Sequence, residues 1–271
     1  MDEDVLLETR ESGVLILTLN RPETLNALNP RLMSALCAGL ERAAEDREVA
    51  CVILTGSGRG FCPGGDVAAV KRAVERRESR AAPDPQSVER RMAAIRRSGE
   101  AARLLHDMEK PTIAMINGAC AGAGLSLAGA CDLRIAAESA VFASAFTRFG
   151  LPGDYGGAYF WTRILGTAKA RELYFLGERM DAAKALAFGL VSRVVPDAEL
   201  RDRTLELARS FAEGARPAFA YAKRNLNFAE TGALGDVLDL EAMTTVLARE
   251  ASTRARAAKK FDADGGTDPG Q

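Results

Sequence analysis

The sequence predicts an α/β fold with a helical C-terminal region. Short apolar runs alternate with amphipathic segments through about residue 195, only helix-like segments follow, and glycine-rich turns connect strands to helices. The chain has 271 residues, of which 47% are apolar and 27% charged, as in ordinary globular proteins. We expect a helix-covered, largely parallel sheet system at 1–195 and a helical region at 196–261 that covers the pocket or contacts another subunit. A disordered tail is expected at 262–271.

The first elements follow from turn residues and hydrophobic periodicity. Apolar residues at 5–8 and 14–19 flank a Glu-Ser-Gly turn, which predicts a β-hairpin. An Asn-Pro pair precedes an amphipathic helix at about 31–45. The continuous apolar run at 49–55 is typical of a strand buried on both faces. Residues 56–65 are then expected to form a glycine-rich loop.

The central elements are less regular. Residues 67–108 are arginine-rich and mostly helical in pattern, with a break where two prolines occur at 82–85. This charged face is typical of a solvated helix, and the alternative is a lid over a phosphorylated ligand. Residues 111–116 predict a buried strand, followed by short strands at 133–136 and 140–142.

The last part of the core and the C-terminal region are predominantly helical. Helices are predicted at about 156–165, 168–176 and 182–188, and a short strand at 190–195. From residue 198 onward the pattern is helical apart from turns, so its apolar faces need a partner surface.

Charge, cysteine usage and hydropathy exclude several classes of protein. The 36 basic and 37 acidic residues give a net charge of -1, which favours neither nucleic acid nor an anionic membrane as a partner. The five cysteines are odd in number and widely spaced, so neither disulfides nor a metal site is expected. The acidic N-terminus does not resemble a signal peptide, and polar residues interrupt the most apolar stretch at 111–137. We therefore expect a cytoplasmic location.

Two segments share the order strand, glycine-rich turn, helix start. They lie at 52–67 and 113–125. Glycines let the main chain approach a ligand closely, and a helix N-terminus presents free N–H groups. Two such turns facing each other predict a pair of donors for a developing oxyanion. The alternative is that these glycines only permit tight turns and close packing.

The order of motifs along the chain resembles the enoyl-CoA hydratase/isomerase (crotonase) superfamily. The similar segments are NRPETLNAL at 20–28, GRGFCPGGDV at 58–67, KPTIAMINGACAGAG at 110–124, CDLR at 131–134, DYGG at 154–157, RILG at 163–166, and residues 182–195. Together they span about residues 5–260, which makes the resemblance specific.

The resemblance implies a crotonase-like spiral of ββα units with a C-terminal helical region, assembled as a homotrimer or hexamer. It implies an acyl-CoA substrate, with coenzyme A as part of that substrate and no separate cofactor. By position, the backbone N–H groups of Gly65 and Ala123 correspond to the oxyanion pair. The residues expected to contact the substrate are Thr24, Leu25, Ala27, Cys62, Gly64, Asp66, Val67, Gly122, Ser126, Phe146 and Leu151. The Asp66 side chain itself is expected to be structural rather than catalytic, because a loop carboxylate commonly accepts N–H bonds from its own turn.

Departures from the hydratase pattern bear on the reaction. Hydratases of the family use two glutamates, and the corresponding positions are Ser126 and Phe146. Neither side chain can act as an acid or base near neutral pH. Asp154 is the carboxylate that remains at an active-site position. An apolar pocket formed by Phe146, Leu151 and Tyr155 would raise its pKa and suit it to shuttle a proton.

These residues favour double-bond isomerisation with Asp154 as the proton shuttle, and leave four alternatives. Asp154 could instead cap the following helix. The protein could add water held by Ser126 or Asp154, or it could be a non-catalytic acyl-CoA-binding paralogue. Asp154 could also act as a nucleophile in hydrolysis or dehalogenation, although His106 and Trp161 are typical packing residues. The acyl group and the choice between trimer and hexamer stay open.

Overall fold

Two sheets organise the protein in the computed structural model, which describes residues 4–66 and 85–263. The strands of the larger sheet are β1 (Leu6–Glu11), β2 (Val14–Leu19), β3 (Cys51–Gly56), β5 (Thr112–Ile116), β7 (Leu133–Ala137) and β10 (Arg193–Val195). The strands of the smaller sheet are β4 (Gly60–Cys62), β6 (Ala119–Ala121), β8 (Val141–Ala143) and β9 (Met180–Asp181).

The chain passes from one sheet to the other and back. The larger sheet has the order β1-β2-β3-β5-β7-β10, with β1 antiparallel to β2 and all other neighbours parallel. The smaller sheet has the order β4-β6-β8-β9, with only β9 antiparallel. From β3 to β8, each strand of the larger sheet is followed by one of the smaller sheet. This alternation is the predicted spiral of strand pairs, and each of the last two pairs is followed by a helix.

The helices of the described ranges close the spiral and form the C-terminal region. They are α1 (Pro30–Glu45), α2 (Pro85–Ser98), α3 (Glu100–Asp107), α4 (Gly122–Ala130), α5 (Gly157–Leu176), α6 (Ala182–Phe188), α7 (Leu200–Glu213), α8 (Arg216–Ala229) and α9 (Leu234–Ala263). Asn29 caps α1 by accepting a hydrogen bond from the N–H of Leu32 at 2.8 Å. The two helices predicted at 156–176 form one element with a break at Gly166, whose φ of 75° is left-handed.

Both faces of the central strands β2, β3, β5 and β7 are largely buried, which explains their continuous apolar sequences. Along β2, Leu15, Leu17 and Leu19 face the core between the two sheets, while Val14 and Ile16 face the opposite side. The second face is covered by α7, whose buried residues include Leu200, Leu205 and Ala208. The first helix of the C-terminal region therefore packs directly on the sheet.

Short strands replace part of one predicted loop. Residues 60–62, which the glycine pattern assigned to a loop, form β4, because pairing with β6 supplies backbone partners that no sequence period indicates. The predicted break near 82–85 is followed by helix α2. Residues 67–84 lie outside the described residues, as does most of the predicted tail, since α9 extends to Ala263. None of the helices in the described ranges is long and apolar enough to cross a membrane.

Candidate active site

The two glycine-rich turns lie against each other. A Cβ built on Gly64 would lie 3.1 Å from the backbone nitrogen of Ala123, and a Cβ built on Gly124 would lie 2.2 Å from the carbonyl oxygen of Cys62. Gly64 and Gly122 also have positive φ values, 103° and 50°. Only glycine permits both this conformation and this approach. The loop after β4 and the N-terminus of α4 thus form one surface, as the two sequence segments predicted.

Among the described residues, no backbone hydrogen bond is made by two N–H groups on this surface, those of Gly65 and Ala123. Leu28 and Gly65 form a parallel bridge, in which Leu28 N–H donates to Gly64 at 2.8 Å and Asp66 N–H donates to Leu28 at 3.1 Å. The N–H of Gly65 lies between these bonds and points to the other side. Ala123 is in the first turn of α4, where N–H groups have no acceptor within the helix, and no side chain caps that end.

Residues 20–28 contact β4 and the loop that follows it through side-chain hydrogen bonds and an ion pair. Nη2 of Arg21 lies 3.4 Å from Oδ2 of Asp66, and Nη1 of Arg21 donates to the carbonyl of Ala27 at 2.5 Å. The buried amide of Asn26 donates to the carbonyl of Gly60 at 2.7 Å. The pairing of the Asp66 carboxylate with a guanidinium 45 residues earlier in the chain agrees with the structural role expected for this residue.

Four more of the predicted substrate-binding residues lie near the loop after β4. Thr24 ends a 3-10 turn at Pro22–Thr24, and Leu25 follows in a left-handed conformation and contacts Gly60. Ala27 and Cys62 are buried. These residues lie together beside the loop after β4. Val67 lies outside the described residues.

Asp154 is on the loop between β8 and α5, and its carboxyl group is unusual. Burial raises the pKa of Asp154 from 3.8 to about 6. Its buried Oδ1 has no hydrogen-bond partner among the described residues. The flanking residues Gly153, Tyr155 and Gly156 all have positive φ values, 108°, 51° and 76°. For a non-glycine residue such as Tyr155 this conformation stores roughly 1–3 kcal/mol of strain, which is common at functional sites.

The alternative that Asp154 caps α5 is wrong. The N-cap residue of α5 is Gly156, and no side chain donates or accepts a capping hydrogen bond there. The backbone carbonyl of Asp154 accepts the N–H of Gly157 at 3.1 Å, which leaves the carboxyl group out of the helix start. The side chain is therefore available for another role.

The two positions that carry glutamates in hydratases are close to a residue that the sequence did not single out. Ser126 on α4 is fully buried and Phe146 is nearly so. The ring of Phe146 stacks on that of Tyr174 from α5, with centroids 6.0 Å apart and planes at 19°. A Cβ built on Gly157 would lie 2.3 Å from both Ser126 Oγ and the Tyr174 hydroxyl oxygen. Tyr174 was missed because a tyrosine within an amphipathic helix is typical of packing.

The apolar wall predicted around Asp154 is only partly present. Leu151 is 53% exposed, so it contributes little to the burial of the carboxyl group. It follows Gly150, whose left-handed φ of 67° ends the 3-10 turn at Phe146–Phe149 and directs the chain outward. Tyr155 is partly buried and contacts Ser98 at the end of α2, and burial raises the pKa of its phenol to about 12.

His106 and Trp161 pack against other side chains and backbone. His106 packs against Phe160, with ring centroids 5.3 Å apart, and its Nε2 lies 3.7 Å from Glu230. Trp161 is buried against Gly129, as expected for a packing residue. Within the ranges that the structure describes, no three histidine, cysteine, aspartate or glutamate side chains come together in a metal-binding arrangement.

Comparison with known proteins identifies the family. A family model described as enoyl-CoA hydratase/isomerase matches residues 9–261. The chain is 38% identical to the 1,2-epoxyphenylacetyl-CoA isomerase of Escherichia coli (strain K12), over 88% of this chain and 87% of that protein. It is 32% identical to the short-chain-enoyl-CoA hydratase of Clostridium acetobutylicum, over 83% and 81% of the two chains. The protein belongs to the enoyl-CoA hydratase/isomerase family, the crotonase superfamily.

Solved structures support the same assignment. The crystal structure of an enoyl-CoA hydratase from Polaromonas sp. JS666 superposes with a TM-score of 0.82 at 32% identity, covering 96% of this chain and 97% of that one. Enoyl-CoA hydratase from Bacillus anthracis gives a TM-score of 0.82 at 28% identity, covering 96% and 97%. The chain has the crotonase fold, including the helical C-terminal region.

Proposed function

We propose that the protein isomerises a carbon–carbon double bond in an acyl-CoA, with Asp154 as the proton shuttle. The observation that carries this proposal is the state of the Asp154 carboxyl group. Its Oδ1 is buried and unpartnered among the described residues, and burial raises its pKa to about 6. A general base works best when its pKa is near the operating pH.

The proposed reaction needs one carboxylate and two backbone donors. Asp154 takes a proton from the carbon next to the thioester carbonyl of a 3-enoyl-CoA, and the electron pair of that C–H bond delocalises onto the thioester oxygen. The N–H groups of Gly65 and Ala123 hold this oxyanion, a contribution of about 2.7–4 kcal/mol per donor in comparable sites. Asp154 then returns the proton to the fourth carbon, the enolate electrons re-form the carbonyl, and the product is a 2-enoyl-CoA.

The surroundings of Asp154 favour this reaction over hydration. Addition of water needs one group to activate the water and another to protonate the α-carbon, and Ser126 and Phe146 supply neither. Moving a proton between two carbons needs only a single carboxylate. The Escherichia coli relative is named as an isomerase and the Clostridium acetobutylicum relative as a hydratase, so relatives alone support both reactions.

The experiment follows proton exchange and double-bond migration on a 3-enoyl-CoA by NMR in D₂O. We expect the wild-type protein to turn over and Asp154→Asn to lose at least about a hundredfold in rate, the scale of lost acid–base catalysis. Asp181→Asn is the matched control, because Asp181 caps α6 by accepting the N–H of Lys184 at 2.8 Å and asparagine also caps well. The control should keep wild-type activity.

The same samples separate the alternatives. Wild-type turnover that Asp154→Asn leaves intact would remove Asp154 from the mechanism. A 3-hydroxyacyl-CoA product from a 2-enoyl-CoA would establish hydration. A covalent adduct on Asp154 in the mass spectrum would indicate a nucleophile, and acyl-CoA binding without any turnover would indicate a non-catalytic paralogue. We also include 1,2-epoxyphenylacetyl-CoA, the compound in the name of the Escherichia coli relative.

A further inference from the structure

The phenol of Tyr174 is held firmly in the wall of the acyl site. Its ring stacks on Phe146, and a Cβ built on Gly153 would lie 2.8 Å from the ring carbon Cε1. The hydroxyl of Thr147 donates to the backbone carbonyl of Tyr174 at 3.1 Å, which ties α5 to the 3-10 turn that carries Phe146. The ring has contacts on both sides, so its hydroxyl group has a defined position.

A second hydroxyl group lies beside it. Because Gly157 has no side chain, both Ser126 Oγ and the Tyr174 hydroxyl lie against its backbone, where a Cβ would be only 2.3 Å from each oxygen. Ser126 Oγ donates a long hydrogen bond, 3.4 Å, to the carbonyl of Gly122 in its own helix. The two hydroxyls therefore lie close to each other, beside the ring of Phe146.

The Tyr174 hydroxyl lacks an acceptor. Its oxygen is buried, and it has no hydrogen-bond partner in the described part of the chain. Burial raises the pKa of Tyr174 to about 12, with smaller effects from Ser126, which lowers it, and from Asp154, which raises it. The phenol is therefore neutral at physiological pH and acts as a donor.

A buried donor without an acceptor is unfavourable, so a donor of this kind is expected to bind a ligand atom or water. A tyrosine that served packing alone could be a phenylalanine here, because the stacking on Phe146 needs only the ring. Ligand pockets typically combine apolar walls with a few fixed polar groups that select and orient the ligand. The pair of hydroxyls fits that description, and it lies next to Asp154.

We propose that the acyl group of the substrate carries an oxygen atom, to which Tyr174 donates a hydrogen bond and beside which Ser126 provides a second hydroxyl. The substrate class is thus an oxygenated acyl-CoA, with a keto, hydroxyl or ether-type oxygen on the acyl chain, rather than a plain hydrocarbon chain. This inference rests on the proposed function only in placing the acyl group beside Asp154.

The test measures binding of unreactive acyl-CoAs to the full-length protein by calorimetric titration. The ligands are hexanoyl-CoA and its oxo derivatives with the keto oxygen on the third, fourth or fifth carbon. We expect at least one oxo derivative to bind the wild-type protein about tenfold more tightly than hexanoyl-CoA, the scale of one net hydrogen bond. Tyr174→Phe should reduce this preference to about twofold or less while leaving the affinity for hexanoyl-CoA unchanged.

Two further variants make the result specific. Tyr159→Phe removes a phenol that donates to Glu230 rather than facing the pocket, and it should keep the tenfold preference. Ser126→Ala should lower the preference as well, because it removes the second hydroxyl. Thermal unfolding of each variant confirms that it is folded before titration.

The inference is overturned if the wild-type protein shows no preference at any carbon, which would mean that the hydroxyls bind only water. It is also overturned if Tyr174→Phe keeps the preference. The ligands have no double bond to move, so the outcome is independent of catalysis. Isomerisation without the preference would refute this inference alone, and the preference without isomerisation would refute the proposed function alone.

Discussion

The ammonium group of Lys223 lies 2.8 Å from Oδ2 of Asp132, and this pair joins the C-terminal helical region to the core. Nζ of Lys223 also donates to the carbonyls of Leu105 and Lys110, at 2.9 and 3.1 Å. Asp132 follows α4 and accepts the N–H of Thr112 at 2.7 Å at the start of β5. One lysine on α8 thus satisfies polar groups at the ends of three core elements.

Replacing Lys223 should weaken the contact between the C-terminal helical region and the core. In Lys223→Met the carboxylate of Asp132 loses its partner cation and two carbonyls lose a donor. Because the Asp132 side chain is 29% exposed and keeps its bonds to Thr112, the loss is smaller than for a fully buried pair. We expect the free energy of unfolding to fall by about 1–3 kcal/mol. Urea denaturation measures it.

A matched substitution at the surface calibrates that loss. Lys184 also pairs with a carboxylate at 2.9 Å, that of Glu178, but both side chains are more than half exposed. Lys184→Met should leave the free energy of unfolding nearly unchanged, because exposed ion pairs contribute little. Equal effects of the two substitutions would contradict the role given to Lys223.

The rate of isomerisation should depend on the ionisation of Asp154. The carboxylate form is the base, and burial raises its pKa to about 6. The value of kcat/KM should therefore fall about tenfold per pH unit below that pKa and level off above it. A pH profile on a 3-enoyl-CoA measures this. A profile that stays flat down to about pH 4.5 would show that a different group takes the proton.

The same raised pKa makes a prediction about stability. The unfolded chain has the ordinary value of 3.8 and the folded chain one of about 6, so the folded state binds the proton more tightly. Wild-type stability is then favoured at low pH and is lost as pH rises from about 4 through about 6. Asp154→Asn should be more stable than wild type above this window, by about 1–2 kcal/mol after allowance for solvent screening.

Denaturation at two pH values tests whether Asp154→Asn is more stable than wild type and at which pH. The advantage of Asp154→Asn should be present at about pH 8 and absent near pH 4, where the wild-type carboxyl is protonated in both states. Asp181→Asn, at the N-cap of α6, should not be more stable than wild type at about pH 8. An Asp154→Asn variant less stable than wild type at about pH 8 would mean that the carboxylate has a stabilising partner.

The sequence predicted the long apolar strands, the capped helix α1 and the facing glycine turns because each has a local signature. β3 and β5 are continuous apolar runs, and Asn29-Pro30 is a helix start in any context. The three-residue strands β4 and β6 have no signature of their own. They exist because the spiral places them side by side, and pairing across a long chain separation cannot be read from so few residues.

The proximity of Ser126 and Tyr174 could not be predicted from the sequence either. Ser126 and Phe146 were found through the resemblance, since they occupy positions where hydratases have glutamates. Tyr174 has no motif and is 48 residues from Ser126 along the chain. Only the fold brings α5 against α4, with Gly157 leaving room between them. Leu151 was expected to help bury Asp154, but the turn at Gly150 leaves it 53% exposed.

The contact between the two glycine turns can be tested by adding one methyl group. In Gly124→Ala the new Cβ would lie 2.2 Å from the carbonyl oxygen and 2.7 Å from the Cβ of Cys62, so the loop after β4 must move away from α4. We expect the free energy of unfolding to fall by about 1–3 kcal/mol, the usual effect of overpacking. The displaced donors of Gly65 and Ala123 should lower kcat about a hundredfold.

Gly65→Ala is the control on the same surface. No atom of residues 4–66 or 85–263 lies within 4 Å of a Cβ built on Gly65, and its φ is not in the left-handed region, so this variant should fold with nearly wild-type stability and keep its backbone N–H. Urea denaturation and kcat are compared for both variants. If Gly124→Ala matched Gly65→Ala in stability and retained wild-type kcat, close contact between the turns would not be what positions the two donors. A loss of stability in Gly124→Ala that Gly65→Ala does not share would show that the close contact between Gly124 and Cys62 stabilises the fold.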